Sequence, residues 1–281
     1  MLLNHSLHFS RKAVTVIERE RLQRESISNK VLQQTDALRA ALLSSVSHDL
    51  RTPLTTIKTA ASSLRQTEVH LDEDVRNHFA LAIEHESDRL NRLVENLLDM
   101  SRIEGGALHP KKVWYPLDEI IYTVLGRMQP LLEGRTVQKS IPEQVPPVKM
   151  DYVQIGQVVT NLLENAIRYT PAGSPITICI QVHEEQLQVS IADRGSGVPL
   201  MEQERIFDKF YRAQREPRAA DADRGSGLGL AVSKGVIEAH NGRIWVEERA
   251  GGGAIFCFTL PMGSIEGESE NDERESTHSG H

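Results

Sequence analysis

Two cysteines in 281 residues, Cys179 and Cys257, are too few for a disulfide framework and show no metal-ligand spacing. Each sits in a strand-like apolar run, which predicts buried thiols in a reducing compartment. No hydrophobic stretch approaches the roughly 20 residues that span a bilayer. The N-terminus, Met1 to Arg11, also lacks the continuous apolar core of a signal peptide. A cytoplasmic chain with no membrane span of its own is therefore expected. Positive charge is scarce as well. The net charge is -7, yet residues 263–281 alone hold six acids (Glu266, Glu268, Glu270, Asp272, Glu273, Glu275) against Arg274, so the folded part is near neutral. Without a basic face to displace counterions, nucleic acid is not a partner. What remains is an ordinary globular composition, 39% apolar and 25% charged, long enough for about two domains.

From Val14 to Leu50 there is neither proline nor glycine, and Val14, Ile17, Val31, Leu38, Leu42, Leu43 and Val46 recur at helical spacing. This predicts a long helix with a seam for a partner chain. The stripe continues through Pro53 as Leu50, Leu54, Ile57, Ala61 and Leu64. After a polar turn near Gln66 to Glu73 comes a second one: Val75, Phe79, Ile83, Leu90, Leu93 or Val94, Leu97. Two such helices make an antiparallel hairpin whose apolar face stays open unless a second copy closes a four-helix bundle. A homodimer follows.

Gly105, Gly106 and the prolines after them mark a boundary near 104–115. Beyond it the pattern is mixed. Helices are expected at Leu117–Glu133, Asp151–Tyr169 and Leu228–Asn241, and strands at Ile176–Val182, Leu187–Asp193, Arg243–Glu247 and Ala254–Leu260. Helices on one face of an antiparallel sheet give an α+β sandwich. Composition after Gly263 predicts a disordered acidic tail.

Among eleven histidines, His48 stands out because it sits on the polar face of an otherwise amphipathic helix. An exposed neutral imidazole can attack a phosphate donor brought by another domain. Asp49 beside it can accept the Nδ1 proton and leave Nε2 as the nucleophile, and Pro53 permits a bend one turn on.

Four stretches of the second half suit one nucleotide. Asn161, Asn165 and Arg168 line a polar face of the helix ending at Tyr169. Amide oxygens suit Mg²⁺, and a guanidinium suits phosphate. Asp193 ends a strand and is followed by Gly195 and Gly197, which allow close approach to a flat ring. Phe207 to Arg212 precedes a turn-rich stretch, Ala213 to Arg224, with the composition of a lid. Gly225, Gly227, Leu228 and Gly229 then lead into a helix whose first amides would meet a polyphosphate.

The run His48-Asp49-Leu50-Arg51-Thr52-Pro53-Leu54 resembles the phosphoacceptor motif of sensor histidine kinases. Asn161 to Tyr169, Asp193 to Gly197, Phe207 to Tyr211 and Gly225 to Gly229 resemble, in order, the N, G1, F and G2 boxes of the Bergerat-type ATPases. Arg168 departs from the usual lysine of that pattern but keeps the charge. The linker Asn96 to Gly106 and Lys111 to Trp114 are similar to KdpD-type kinases, which govern potassium uptake. The resemblance implies an all-α dimeric hairpin followed by a Bergerat sandwich: a signalling coiled coil over 1–37, a phosphotransfer domain over 38–104, an ATP-binding domain over 105–262 and a tail over 263–281. It further implies ATP with Mg²⁺ on Asn161 and Asn165, with His48 phosphorylated and Asp49 as base. Thr52 is placed to position water for dephosphorylating the partner, a response regulator receiver domain. A conformational ATPase of the same superfamily is the main rival, and it has no use for His48.

Overall fold

The computed structural model describes residues 47, 49–65, 72–211 and 227–263. The expected coiled coil, the lid stretch, the acidic tail, and His48, Arg212 and Gly225 lie outside the described residues. Two compact units divide at Leu90 and Asn91, each taken in turn.

In the first unit, helix α1 spans 49–64 and runs unbroken through Pro53, and helix α2 begins at Glu73. Glu73 and Asp74 occupy the first turn of α2, where carboxylates complement the positive end of the helix dipole. Pro53 and Ala60 are buried, seven residues apart on one side of α1. The expected apolar stripe behaves differently: Leu50, Ile57, Ala61 and Leu64 are only half-buried, and Leu54 is 52% exposed. On α2, Val75 and Leu81 are likewise exposed.

The second unit starts inside α2, which continues to Glu104. Met100 joins the hydrophobic core of this unit, with Leu97 and Ile103 packed against it. Gln157 Nε2 donates to Asn96 Oδ1 at 3.1 Å, and Arg92 pairs with Glu164. A two-stranded antiparallel ribbon, β1 (Val113–Tyr115) with β3 (Val148–Met150), follows. Between its strands lie α3 (Leu117–Arg127), a helical turn α4 (Gln129–Leu132) and β2 (Val137–Ser140). Next come α5 (Tyr152–Arg168), β4 (Ile176–Val182), β5 (Gln186–Ala192), α6 (Gly229–Ala239), β6 (Ile244–Glu248) and β7 (Ala254–Pro261).

The main sheet has the order β2-β4-β5-β7-β6. Its inner face, carrying Ile178, Val189, Phe258 and Val246, packs against α3, α5 and α6 in one core. The α+β sandwich expected from the pattern is therefore present, with three differences. The single helix expected over 117–133 breaks at Met128, because Pro130 has no N–H for the Gly126 carbonyl. The sheet is mixed, since β2 pairs parallel to β4, the two being joined through β3 and α5. Strand β7 is buried on both faces along most of its length, unlike a strand of a sheet covered by helices on one face only. Cys257 on β7 is buried and Cys179 half-buried, both as free thiols. Burial pushes the Cys257 thiol up to about 12, which leaves it inert.

Among the described residues no helix is long and apolar enough to cross a membrane.

Candidate functional site

Helix α5 supplies one wall of the site. Asp151 caps its N-terminus, its Oδ1 accepting from the Val153 and Gln154 amides and its Oδ2 from the Lys111 amide. The other end is held by Arg135, whose guanidinium donates to the Ile167 carbonyl, the Thr170 carbonyl and the Thr170 hydroxyl. A cation there satisfies carbonyls that the helix leaves open and complements its dipole.

Between α5 and the inner face of the sheet lies a cavity. Asn165, Tyr169, Asp193 and Ser196 supply its polar lining, Gly197 a bare stretch of backbone, and Val198, Ile206, Tyr211, Leu230, Ala254 and Phe256 its apolar walls. Asp193 is only 3% exposed. Its Oδ1 accepts from the Gly195 amide at 2.7 Å and the Ala254 amide at 3.2 Å, which fixes the rotation of the carboxyl group. A buried carboxylate so held offers an acceptor to one amine in a cavity whose walls are largely apolar.

The glycines after Asp193 answer to contact. A Cβ on Gly195 would run into the Tyr169 carbonyl oxygen, and Gly197, at φ +70°, would meet the Gly253 oxygen at 2.9 Å. Loop and helix end can touch only if the side chains are absent.

The F and G2 stretches meet outside this wall. The Phe210 amide donates to the Gly227 carbonyl at 3.0 Å, with Phe210 itself at φ +61°. A bulky residue in the left-handed region is an outlier that surrounding structure must enforce. Here it brings together the residues flanking 212–226. Arg205 lies over the Tyr211 ring at 4.7 Å and steadies the same corner. Helix α6 then starts at Gly229 with no side chain capping its amides, a polarity suited to phosphate.

Of the site residues expected from sequence, Asn165, Tyr169, Asp193 and Gly197 line the cavity, and Gly195 packs at its edge. Arg168 is exposed at the end of α5. Asn161 is buried behind the wall, where its Nδ2 donates to the Gly229 carbonyl and the Ser233 hydroxyl. It thereby ties α5 to the first turn of α6. Phe207 is buried in the core and Leu228 is wholly buried, while Ile206, next to Phe207, forms part of the lining. In the first unit, Asp49 is half-buried and Thr52 exposed on α1. Sequence reasoning passed over Leu230, in the first turn of α6, and Ala254 and Phe256, at inward-facing positions of β7, as lining residues. It also passed over Arg135 and Arg249, whose partners are mostly backbone carbonyls and leave no pattern in the sequence.

Residues that fit a nucleotide are thus present: a buried acceptor, a cavity with largely apolar walls, and a helix start beside it. Among the described residues no cluster of three or more His, Cys, Asp or Glu forms a metal site.

Comparison with known proteins agrees with this geometry. Residues 38–106 match the His Kinase A (phospho-acceptor) domain, and residues 150–264 match the histidine kinase-, DNA gyrase B-, and HSP90-like ATPase family. Sensor protein KdpD of Clostridium acetobutylicum is 36% identical over 245 residues, covering 87% of this chain and 27% of that protein. The chain thus spans about a quarter of that relative. Among solved structures, Acinetobacter baumannii histidine kinase AdeS superposes with a TM-score of 0.55 at 25% identity, over 77% of this chain and 98% of that one. Histidine kinase ThkA, in complex with response regulator protein TrrA, has the same fold, with a TM-score of 0.56 at 22% identity over 79% of this chain and 61% of that one. With both domains present in family order, the chain belongs to the histidine kinases and has a core like that of the KdpD sensor proteins.

Proposed function

We propose that this chain is the catalytic core of a two-component sensor histidine kinase, which phosphorylates its own His48 from MgATP and passes the phosphoryl group to an aspartate of a response regulator. The observation that carries this reading is Asp193, a buried carboxylate held by two backbone amides in a cavity with largely apolar walls. Asp193 accepts from the adenine amine, Val198, Ile206 and Leu230 enclose the ring, and Arg168 and the Gly225–Gly229 stretch meet the phosphates. Asn165 in the cavity wall is the amide oxygen offered to Mg²⁺, which would neutralise phosphate charge when bound; Asn161, whose Nδ2 is held by Gly229 and Ser233 behind that wall, joins it only if its Oδ1 turns to the cavity.

In the transfer, Nε2 of His48 forms a bond to the γ-phosphorus as the bond to the β,γ-bridging oxygen breaks, and ADP leaves. Asp49 holds the Nδ1 proton and keeps Nε2 unprotonated. Acceptor and donor belong to different units, so positioning dominates the rate. The half-open stripe Leu50, Leu54, Ile57, Ala61 and Leu64 supports a dimer in which a second copy covers it. A groove on α1 lined by Arg51, Thr55, Lys58 and Ser62 gives an acidic receiver domain a basic, hydrogen-bonding surface. Thr52 in this setting supports regulator dephosphorylation, and the likeness to KdpD supports potassium or osmotic signalling.

Incubation with γ-labelled ATP and Mg²⁺ tests the proposal. Acid-labile, base-stable label on the chain, lost in His48→Gln while nucleotide affinity is kept, is the expected result. Hydrolysis of ATP without label on either protein would instead favour a conformational ATPase.

A further inference from the structure

Asp193 is oriented by more than the two amides on its carboxylate. Its main-chain N–H donates to the Ala254 carbonyl at 2.9 Å, which joins it to the start of β7. Its main-chain carbonyl accepts from the Arg249 guanidinium, Nη1 to O at 3.0 Å. Arg249 lies 56 residues downstream, at the mouth of the β6–β7 hairpin.

That hairpin is shaped around this contact. The Arg249 amide donates to the Gly253 carbonyl and the Gly252 amide to the Arg249 carbonyl, so the turn closes on Arg249 itself. Gly251, Gly252 and Gly253 all have positive φ, from +85° to +107°. A Cβ on Gly253 would strike the Asp193 carbonyl oxygen, so the turn passes over that peptide at closest approach. Arg249 is half-buried, which strengthens a charged donor relative to one in open water.

We infer that Arg249 is a positioning residue for base recognition: it fixes the Asp193–Arg194 peptide and thereby aims the Asp193 carboxylate at the exocyclic amine of an adenine ring. Arg249 touches no part of the nucleotide in this scheme. With the guanidinium removed, the Asp193 N–H, in the preceding peptide, keeps its strand bond to Ala254, but the Asp193–Arg194 peptide loses the restraint on its carbonyl, and the carboxylate gains freedom to turn. The loss falls on the amine contact rather than on phosphate binding. This rests on the reading of Asp193 as the adenine acceptor.

Equilibrium affinities of the full chain for ATP and for inosine triphosphate, which carries a carbonyl oxygen in place of the amine, test it. Asp193→Asn is expected to abolish the preference for ATP. Arg249→Ala is expected to weaken ATP about tenfold and inosine triphosphate by no more than about twofold, so the preference narrows. A merely structural role would weaken both nucleotides alike and leave the ratio intact, and that outcome overturns the inference. Arg249→Lys keeps a cation without the planar fork and is expected to fall between wild type and alanine. It decides the matter should the alanine variant not fold: an unchanged ratio in Arg249→Lys then counts against the inference. Preference lost in Asp193→Asn but kept in Arg249→Ala defeats the role of Arg249 alone. Preference kept in Asp193→Asn defeats the reading of Asp193 itself.

Discussion

The two units solve the problem of burial in opposite ways. In the second, α3, α5 and α6 and one face of a five-stranded sheet enclose side chains such as Ile155, Leu162, Ile178 and Phe258 with essentially no exposure. In the first, Ala60 is the buried apolar side chain apart from Pro53 among the described residues, and Leu54, Val75 and Leu81 face outward. A sheet covered by helices makes its own core, whereas a helical hairpin has one apolar stripe per helix and needs a second hairpin to cover it. On the function proposed above, nucleotide binding is built where one chain suffices, and the acceptor helix where a second copy is called on to cover the stripe.

Three changes test that contrast, beginning with the largest effect. Gly253→Ala places a methyl group against the Asp193 carbonyl at a backbone φ of +107°, and is expected to lower the stability of the second unit by about 3 kcal/mol. Urea unfolding reads the loss, and sedimentation should show self-association through the first unit intact; a joint loss would mean that the two are not separable. Leu54→Glu sets a charge on the half-open stripe. Self-association is expected to weaken at least about tenfold, near 1.4 kcal/mol, with ATP affinity unchanged. Unaltered association would show that a second copy does not cover this face.

The smallest effect concerns His240, buried at the end of α6. Its Nε2 accepts from the Asp151 amide at 3.0 Å while Nδ1 donates to the Val236 carbonyl, so the ring is neutral and its tautomer is fixed. Desolvation lowers its pKa, the Val236 carbonyl and Asp151 opposing and Lys112 reinforcing the shift. A group with a lowered folded pKa stabilises above its unfolded value, about 6.5, and that contribution fades as pH falls below it. The urea midpoint of the second unit should drop with acidification by the equivalent of about 1 kcal/mol, and His240→Gln should flatten the profile. A wild-type profile no steeper than the variant's would show that His240 is not the group responsible.

Much of the second unit was legible in sequence because its elements are long or strongly patterned. The strand Ile176–Val182 has the bounds expected of it, and α5 is bracketed by Asp151 and Tyr169 as its periodicity implied. The short strands β1, β2 and β3, of three or four residues, carry too few side chains for a period of two to register. Their pairing is set by partners far along the chain. At the site, glycine and carboxylate spacing made Asp193, Gly195 and Gly197 legible, but the Arg249 bond and most of those from Arg135 go to main-chain oxygens, which every residue possesses. Nor does a polar helix position reveal that Asn161 turns inward to Gly229 instead of facing the cavity.

Helix α2 is continuous to Glu104, yet the compact units part within it at Leu90 and Asn91. The glycine pair Gly105-Gly106 invites a cut just after the helix, and such a cut would strip Met100 from the core of the nucleotide-binding unit together with the Asn96 and Arg92 contacts. A module exchange made at the glycine pair would therefore leave the nucleotide-binding unit without residues 91–104, which pack with it. The seam set by packing lies inside a helix, where no glycine or proline marks it.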